Sequence, residues 1–198
     1  MLKHALLVIS SVFWSCMVFA GQTIMINGVP IDITEVNTNG AGCPPDSVTV
    51  TTTPDNKQAA VLFNAYRAVT NSTTTVAATD CNIAVGLAVE AGFSVGVVGI
   101  DWRGTVVNSG DGFINFHREF FFSGDRGESS DENWLTPGFE NFFLEDDPVF
   151  VTFSPCDGKP LIARADTSAT VVGANSLFTL RSADFESKLL MTLKVVPC

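Results

Sequence analysis

The chain has 198 residues and a formal net charge of -10, from 21 acidic against 11 basic side chains. Such an acidic balance argues against nucleic acid or an anionic membrane surface as a partner. With 46% hydrophobic and 16% charged residues, the composition is that of one compact, strand-rich domain and excludes a disordered chain.

Residues 1–20 read as a removable signal peptide: Lys3 supplies the basic start, residues 5–19 the apolar stretch, and Val18-Phe19-Ala20 the cleavage site. The apolar run is shorter than the roughly 20 residues that span a bilayer. Cys16 follows Phe13-Trp14-Ser15, an approach too bulky for a lipidated cysteine. The expected mature unit is therefore a single secreted domain over residues 21–198, free of the membrane once the leader is removed. Cleavage also takes away Cys16, leaving Cys43, Cys81, Cys156 and Cys198, an even set that predicts two disulfides in an oxidising compartment. Four cysteines allow three connectivities. The expectation favoured here is Cys43 with Cys198 and Cys81 with Cys156, tying the start of the domain to its last strand. No two of these cysteines stand in C-x-x-C spacing, which argues against a zinc site.

Along the mature chain the hydrophobic period is two, the mark of strands with one buried face. Val48 and Val50 open the series. Residues 58–69 have Ala60, Phe63 and Ala68 near helical spacing, but their aromatic and β-branched content favours a strand. The clearest alternation is Cys81, Ile83, Val85, Leu87 and Val89; Phe93, Val95 and Val97 follow, then Val149, Val151 and Phe153, and last Leu189, Met191, Leu193 and Val195. Clusters such as Ser109-Gly110-Asp111-Gly112 and Asp157-Gly158-Lys159-Pro160 mark the turns. This rhythm predicts an all-β fold, an antiparallel two-sheet β-sandwich of jelly-roll type stabilised by disulfides. Residues 124–148 are different in kind, mixing carboxylates with Trp134, Phe139, Phe142 and Phe143, and predict a long loop that packs down through its aromatics.

In order, Gly42-Cys43-Pro44, the strand Ser47-Val48-Thr49-Val50, Phe63 and Tyr66, Cys81 at the head of the alternating strand, Asp101-Trp102-Arg103-Gly104, Glu119-Phe120-Phe121-Phe122-Ser123-Gly124, Phe153-Ser154-Pro155-Cys156 and Ser182-Ala183-Asp184 before the final strand make a recognisable series. It resembles the secreted family called domain of unknown function 4360, small extracellular proteins of fungi and some bacteria. The chain departs from that pattern at Val195-Val196-Pro197, where the family has an aromatic residue, and in carrying phenylalanine where the family has tyrosine. The resemblance implies secretion, disulfides and a β-rich domain, and it implies no catalytic residues.

Candidate site residues are few. His117 is the only histidine of the mature chain, and no G-x-S-x-G elbow accompanies it, so it reads as an ordinary strand residue. Asp125, Glu128, Asp131, Glu145, Asp146 and Asp147 offer oxygen ligands of the kind calcium takes, without EF-hand spacing; the plainer reading is a solvated acidic loop. Paired carboxylates also serve glycosidases, but spacing alone does not bring two of them together. Trp102, Arg103 and Trp134 are candidate ligand contacts, the tryptophans as sugar-stacking faces and the arginine as a guanidinium offered to a ligand. Arg103-Gly104 equally suits a turn in which the glycine takes positive φ and the arginine pairs with a loop carboxylate. Asn71-Ser72-Thr73 fits the N-glycosylation acceptor pattern. No cofactor is implied. The functions expected, in order, are a non-enzymatic binding module for an extracellular glycan or surface protein, a structural or protective extracellular protein, and a carboxylate-dependent hydrolase.

Overall fold

The computed structural model describes residues 21–55, 57–124, 128–146, 151–180 and 188–198, with the backbone alone at Glu128. The signal-peptide reading for 1–20 lies outside these residues. Among the described residues, thirteen strands run in the order β1 (Gln22–Ile26), β2 (Val29–Asn39), β3 (Val48–Thr52), β4 (Gln58–Phe63), β5 (Arg67–Val69), β6 (Val76–Ala88), β7 (Phe93–Asn108), β8 (Phe113–Phe122), β9 (Glu128–Trp134), β10 (Gly138–Asp146), β11 (Leu161–Val172), β12 (Leu177–Thr179) and β13 (Lys188–Pro197). They form two sheets whose pairings are all antiparallel, so the fold is the all-β sandwich expected. The first sheet has the order β1-β2-β6-β11-β8-β9. In the second, β7 takes β13 and β12 along one edge and β10 along the other, because Trp102 faces both Leu189 and Leu144 while Thr105 faces both Thr179 and Asn141.

Alternation sets the faces. Cys81, Ile83, Val85 and Leu87 of β6 are all buried, as are Leu189, Met191 and Leu193 of β13. Between the sheets runs a chain of rings. Phe63 meets Tyr66 at 5.6 Å, Tyr66 meets Phe178 at 6.1 Å, Phe178 meets Phe116 at 4.9 Å, and Phe116 meets Trp102 at 5.6 Å. Edge and tilted contacts of this kind add to the stabilisation from burial alone.

Four expectations change. The disulfides pair Cys43 with Cys81 and Cys156 with Cys198, not as favoured above. Sheet neighbours decide this. β2 pairs β6 with Asn39 opposite Asn82, which brings the turn after β2 to within 5.4 Å of Cys81. Gly92 binds both other cysteines through its backbone, donating to Cys156 O and accepting from Cys198 N. Second, the supposed loop over 124–148 contains strands β9 and β10, which close one side of both sheets. Third, the apolar residues before Cys156 form no strand among the described residues; Phe153 makes a single bridge to Gly96, and Ser154 takes the adjoining hydrogen bonds of Val95. Fourth, the 58–69 segment breaks into β4 and β5 around Tyr66.

Candidate functional site

Strand β10 carries two kinds of side chain on its two faces. Phe142 turns inward and stacks on Phe178 at 5.5 Å and against Trp134 at 5.1 Å. Phe139 and Phe143 turn outward and are 69% and 47% exposed. Only one of the three phenylalanines thus packs down. The inner seat for Phe142 depends on Gly104: a Cβ there would lie 2.5 Å from the Phe142 ring and 2.5 Å from Thr179 O. Gly104 is therefore a close-approach glycine within β7, not the positive-φ turn considered from sequence.

The register of β10 on β7 arranges the outer face in rows. Phe139 stands opposite Val107, which stands opposite Leu177 of β12, an apolar row. In the next row Asn141 faces Thr105, whose Oγ1 donates to Asn141 Oδ1 at 2.9 Å, and Thr179. Phe143 then faces Arg103, whose guanidinium carbon lies 4.8 Å from the ring centre, and Lys188 of β13 continues the row. Glu145 and Asp101 end the face, with Gln58 Nε2 donating to Asp101 Oδ2 at 3.5 Å and to Thr192 Oγ1 at 2.9 Å. At about 3.3 Å per residue the two exposed rings stand about 13 Å apart along the strand. Apolar ring faces suit the carbon-bound face of a sugar, and amides, hydroxyls and a guanidinium between them suit its hydroxyls.

The tryptophans do not share this face. Trp102 is 1% exposed in the core, and its Nε1 donates to Asp146 Oδ2 at 2.9 Å. It is corrected from ligand platform to core residue, since its strand position turns it between the sheets. Trp134 is half-buried, packs on Phe142 and Phe178, and donates from Nε1 to Glu140 Oε2 at 3.1 Å. Arg103 is on the candidate face, with its guanidinium over the Phe143 ring, and among the described residues no carboxylate pairs with it.

The acidic candidates are dispersed. Asp146 binds Arg118 through Oδ2 to Nε at 2.5 Å and Oδ1 to Nη2 at 2.9 Å, inside the mouth of the sandwich. Asp131 on β9 meets His117 Nδ1 at 3.2 Å; a hydrogen bond from Asn115, then the histidine, holds its carboxyl below the usual range. Glu145 is on the outer face described above. Asp125 and Asp147 lie outside the described residues. Among the described residues no three histidine, cysteine or carboxylate groups come together to hold a metal. Asn71 sits in an exposed turn, its Oδ1 accepting from Thr73 N, Thr73 Oγ1 and Thr74 N, each at 2.8 Å. On the opposite sheet, Asp166 of β11 stands across from Glu119 of β8; burial, then the neighbouring Glu119 charge, raises its pKa against the opposing pull of Arg164. At the other end of the sandwich a shallow cleft of about 150 Å³ opens between β2 and β3 over Ile33, Val48 and Val50.

Fold and face together define a disulfide-stapled antiparallel β-sandwich domain with an aromatic outer surface. Residues 30–198 match the family model described as Domain of unknown function (DUF4360), and the chain belongs to that family. No curated protein matches it. Among solved structures, TmCBM61 in complex with beta-1,4-galactotriose is similar at 10% identity and a TM-score of 0.28, over 84% of this chain and 90% of that one. The enzymatically active domain of bacteriophage CBA120 tailspike protein 4 is similar at 13% identity and a TM-score of 0.31, over 82% of this chain and 19% of that one. No helix among the described residues is long and apolar enough to cross a membrane.

Proposed function

We propose that this is a secreted extracellular binding domain, residues 21–198 after loss of the leader, that takes a glycan chain on the outer face of β7 and β10. The observation that carries the reading is the pair Phe139 and Phe143, both exposed on one strand, with the Asn141–Thr105 hydrogen bond between them and Arg103 beneath the second ring. Large exposed apolar side chains grouped with polar ones mark interaction surfaces rather than ordinary surface. Two rings about 13 Å apart suit a chain of several sugars better than a single one. The two disulfides support an oxidising compartment. In a glycosylating host Asn71, exposed on a turn, is the acceptor for an N-linked glycan.

A glycan array probed with the mature domain tests the reading, followed by titration calorimetry of the best glycan. Phe143→Ala and Phe139→Ala should each weaken binding at least tenfold, about 1.4 kcal/mol, while an alanine at the exposed Val76 of the first sheet leaves it unchanged. A domain that retains no glycan, or whose glycan binding survives both phenylalanine substitutions, refutes the proposal. Capture of a surface protein lost with the same two variants would keep the face and replace the ligand.

A further inference from the structure

The two strands that close one side of the sandwich treat their free edges differently. Strand edges offer unpaired backbone groups, and proteins that stay single guard them with charge. β9 is guarded: its seven residues, Glu-Ser-Ser-Asp-Glu-Asn-Trp, include three carboxylates. β10 is not. It is nine residues long, and among the described residues it pairs with β7 alone. Of its three carboxylates, Glu140 is bound to Trp134 and Asp146 to Arg118, so the outer face offers Phe139, Asn141, Phe143 and only Glu145.

We propose that β10 is a homodimer edge, pairing antiparallel with the same strand of a second copy about a two-fold axis at Asn141, so that the second sheet continues across both molecules. The strand's own sequence selects the partner and the register. A two-fold pairing centred on Asn141 sets Phe139 opposite the partner's Phe143, and Phe143 opposite the partner's Phe139, with the two asparagines facing each other between them. Glu140 then faces the partner's Phe142 and Glu145 faces the partner's Pro137, so no carboxylate meets another. Neighbouring registers lose this. Centring on Glu140 sets that carboxylate against itself, centring on Phe143 sets Glu140 against the partner's Asp146, and centring on Phe142 sets Phe139 against the partner's Glu145. In a chain of net charge -10, an edge that pairs ring to ring and keeps its carboxylates apart is the place where two copies can meet. Aromatic cross-strand pairs favour the contact, while the guarded β9 edges keep the first sheets from joining. The pairing also aligns the two outer faces into one surface with four exposed rings, although the dimer stands whether or not that face binds glycan.

Sedimentation equilibrium and disulfide trapping test the dimer. The native domain should be dimeric at tens of micromolar in about 0.15 M salt, and more so at higher salt, where the mutual repulsion of two acidic molecules is screened. Asn141→Lys, which puts two ammonium groups face to face on the axis, should weaken association at least tenfold while leaving the circular dichroism spectrum unchanged. Directly opposed antiparallel residues have Cα atoms about 4.5–5.5 Å apart, within disulfide reach. Asn141→Cys should therefore cross-link to itself under mild oxidation. Phe139→Cys should not do so alone, but should when mixed with Phe143→Cys. A native domain that is monomeric at about 100 µM, a dimer that survives Asn141→Lys, or Phe139→Cys cross-linking to itself as readily as Asn141→Cys overturns the proposal. Should Asn141→Lys fail to fold, the cysteine variants decide the question. A monomer that instead captures a strand from another protein also overturns it.

Discussion

Beside the apolar core, a single charge pair links the two sheets. Arg118 of β8 projects from the first sheet with its side chain 8% exposed, and Asp146 of β10 meets it from the second at 22%. Replacing Asp146 with alanine removes both hydrogen bonds to the guanidinium and the one from Trp102 Nε1, leaving a buried cation and an indole N–H without those partners. Breaking a buried pair by deleting one partner costs about 3–5 kcal/mol. Because Asp146 retains some solvent contact, the lower end applies, about 3 kcal/mol. For a domain of this size that is a fall in Tm of roughly 6–12 °C. Urea unfolding followed by tryptophan fluorescence measures it, since Trp102 reports on the site. The double variant Arg118→Met, Asp146→Leu should recover most of the loss, because it leaves no uncompensated charge behind. A cost below about 1 kcal/mol for Asp146→Ala would refute the idea that this pair joins the sheets. A rise in stability on adding calcium that Asp146→Ala abolishes would instead make Asp146 a metal ligand.

Two further outcomes follow from burial. The Cys43–Cys81 bridge is fully enclosed while Cys156 and Cys198 are exposed, so limited reduction followed by alkylation and mass spectrometry should label Cys156 and Cys198 first; equal labelling would contradict the burial. Asp166 has its folded-state pKa raised above its ordinary value of 3.8, chiefly by burial, so its contribution favours the fold at pH below that value and is lost as pH rises through the raised value. Asp166→Asn should then stabilise the protein near neutral pH, with the gain shrinking as pH falls toward 4, as read by thermal melts across that range; a gain that grows toward acid would reverse the sign.

The sandwich was legible wherever one face of a strand is apolar and the other is not. Cys81, Ile83, Val85 and Leu87 gave β6 its buried face directly. The failures cluster at the closing side, for a physical reason. β9 lies at an edge, and of the residues it turns inward only Trp134 is apolar, so no hydrophobic period marks it as a strand. In β10 the outward Phe139 and Phe143 interrupt the inward Phe142 and Leu144, so the pattern reads as a mixed acidic and aromatic stretch. The same obscured period hid the candidate face, because exposed and buried phenylalanines are indistinguishable until the strand's register is known. Arg103 was singled out from sequence, but its contact with the Phe143 ring was not. The disulfide pairing was hidden for a different reason: it depends on which strands are neighbours, and β2 beside β6 is a fact of topology rather than of spacing.

The two bridges close separate spans of 38 and 42 residues, the first entirely before the second in the chain. Nothing covalent other than the backbone connects the fragment ending soon after Cys81 to the one beginning near Cys156. A protease cut between residues 44 and 80, or between 157 and 197, leaves the molecule in one piece. A cut anywhere from 82 to 155, the stretch that holds β7 through β10, divides it into two covalently independent halves. The region that presents the aromatic face is thus the one whose intactness depends wholly on an unbroken main chain.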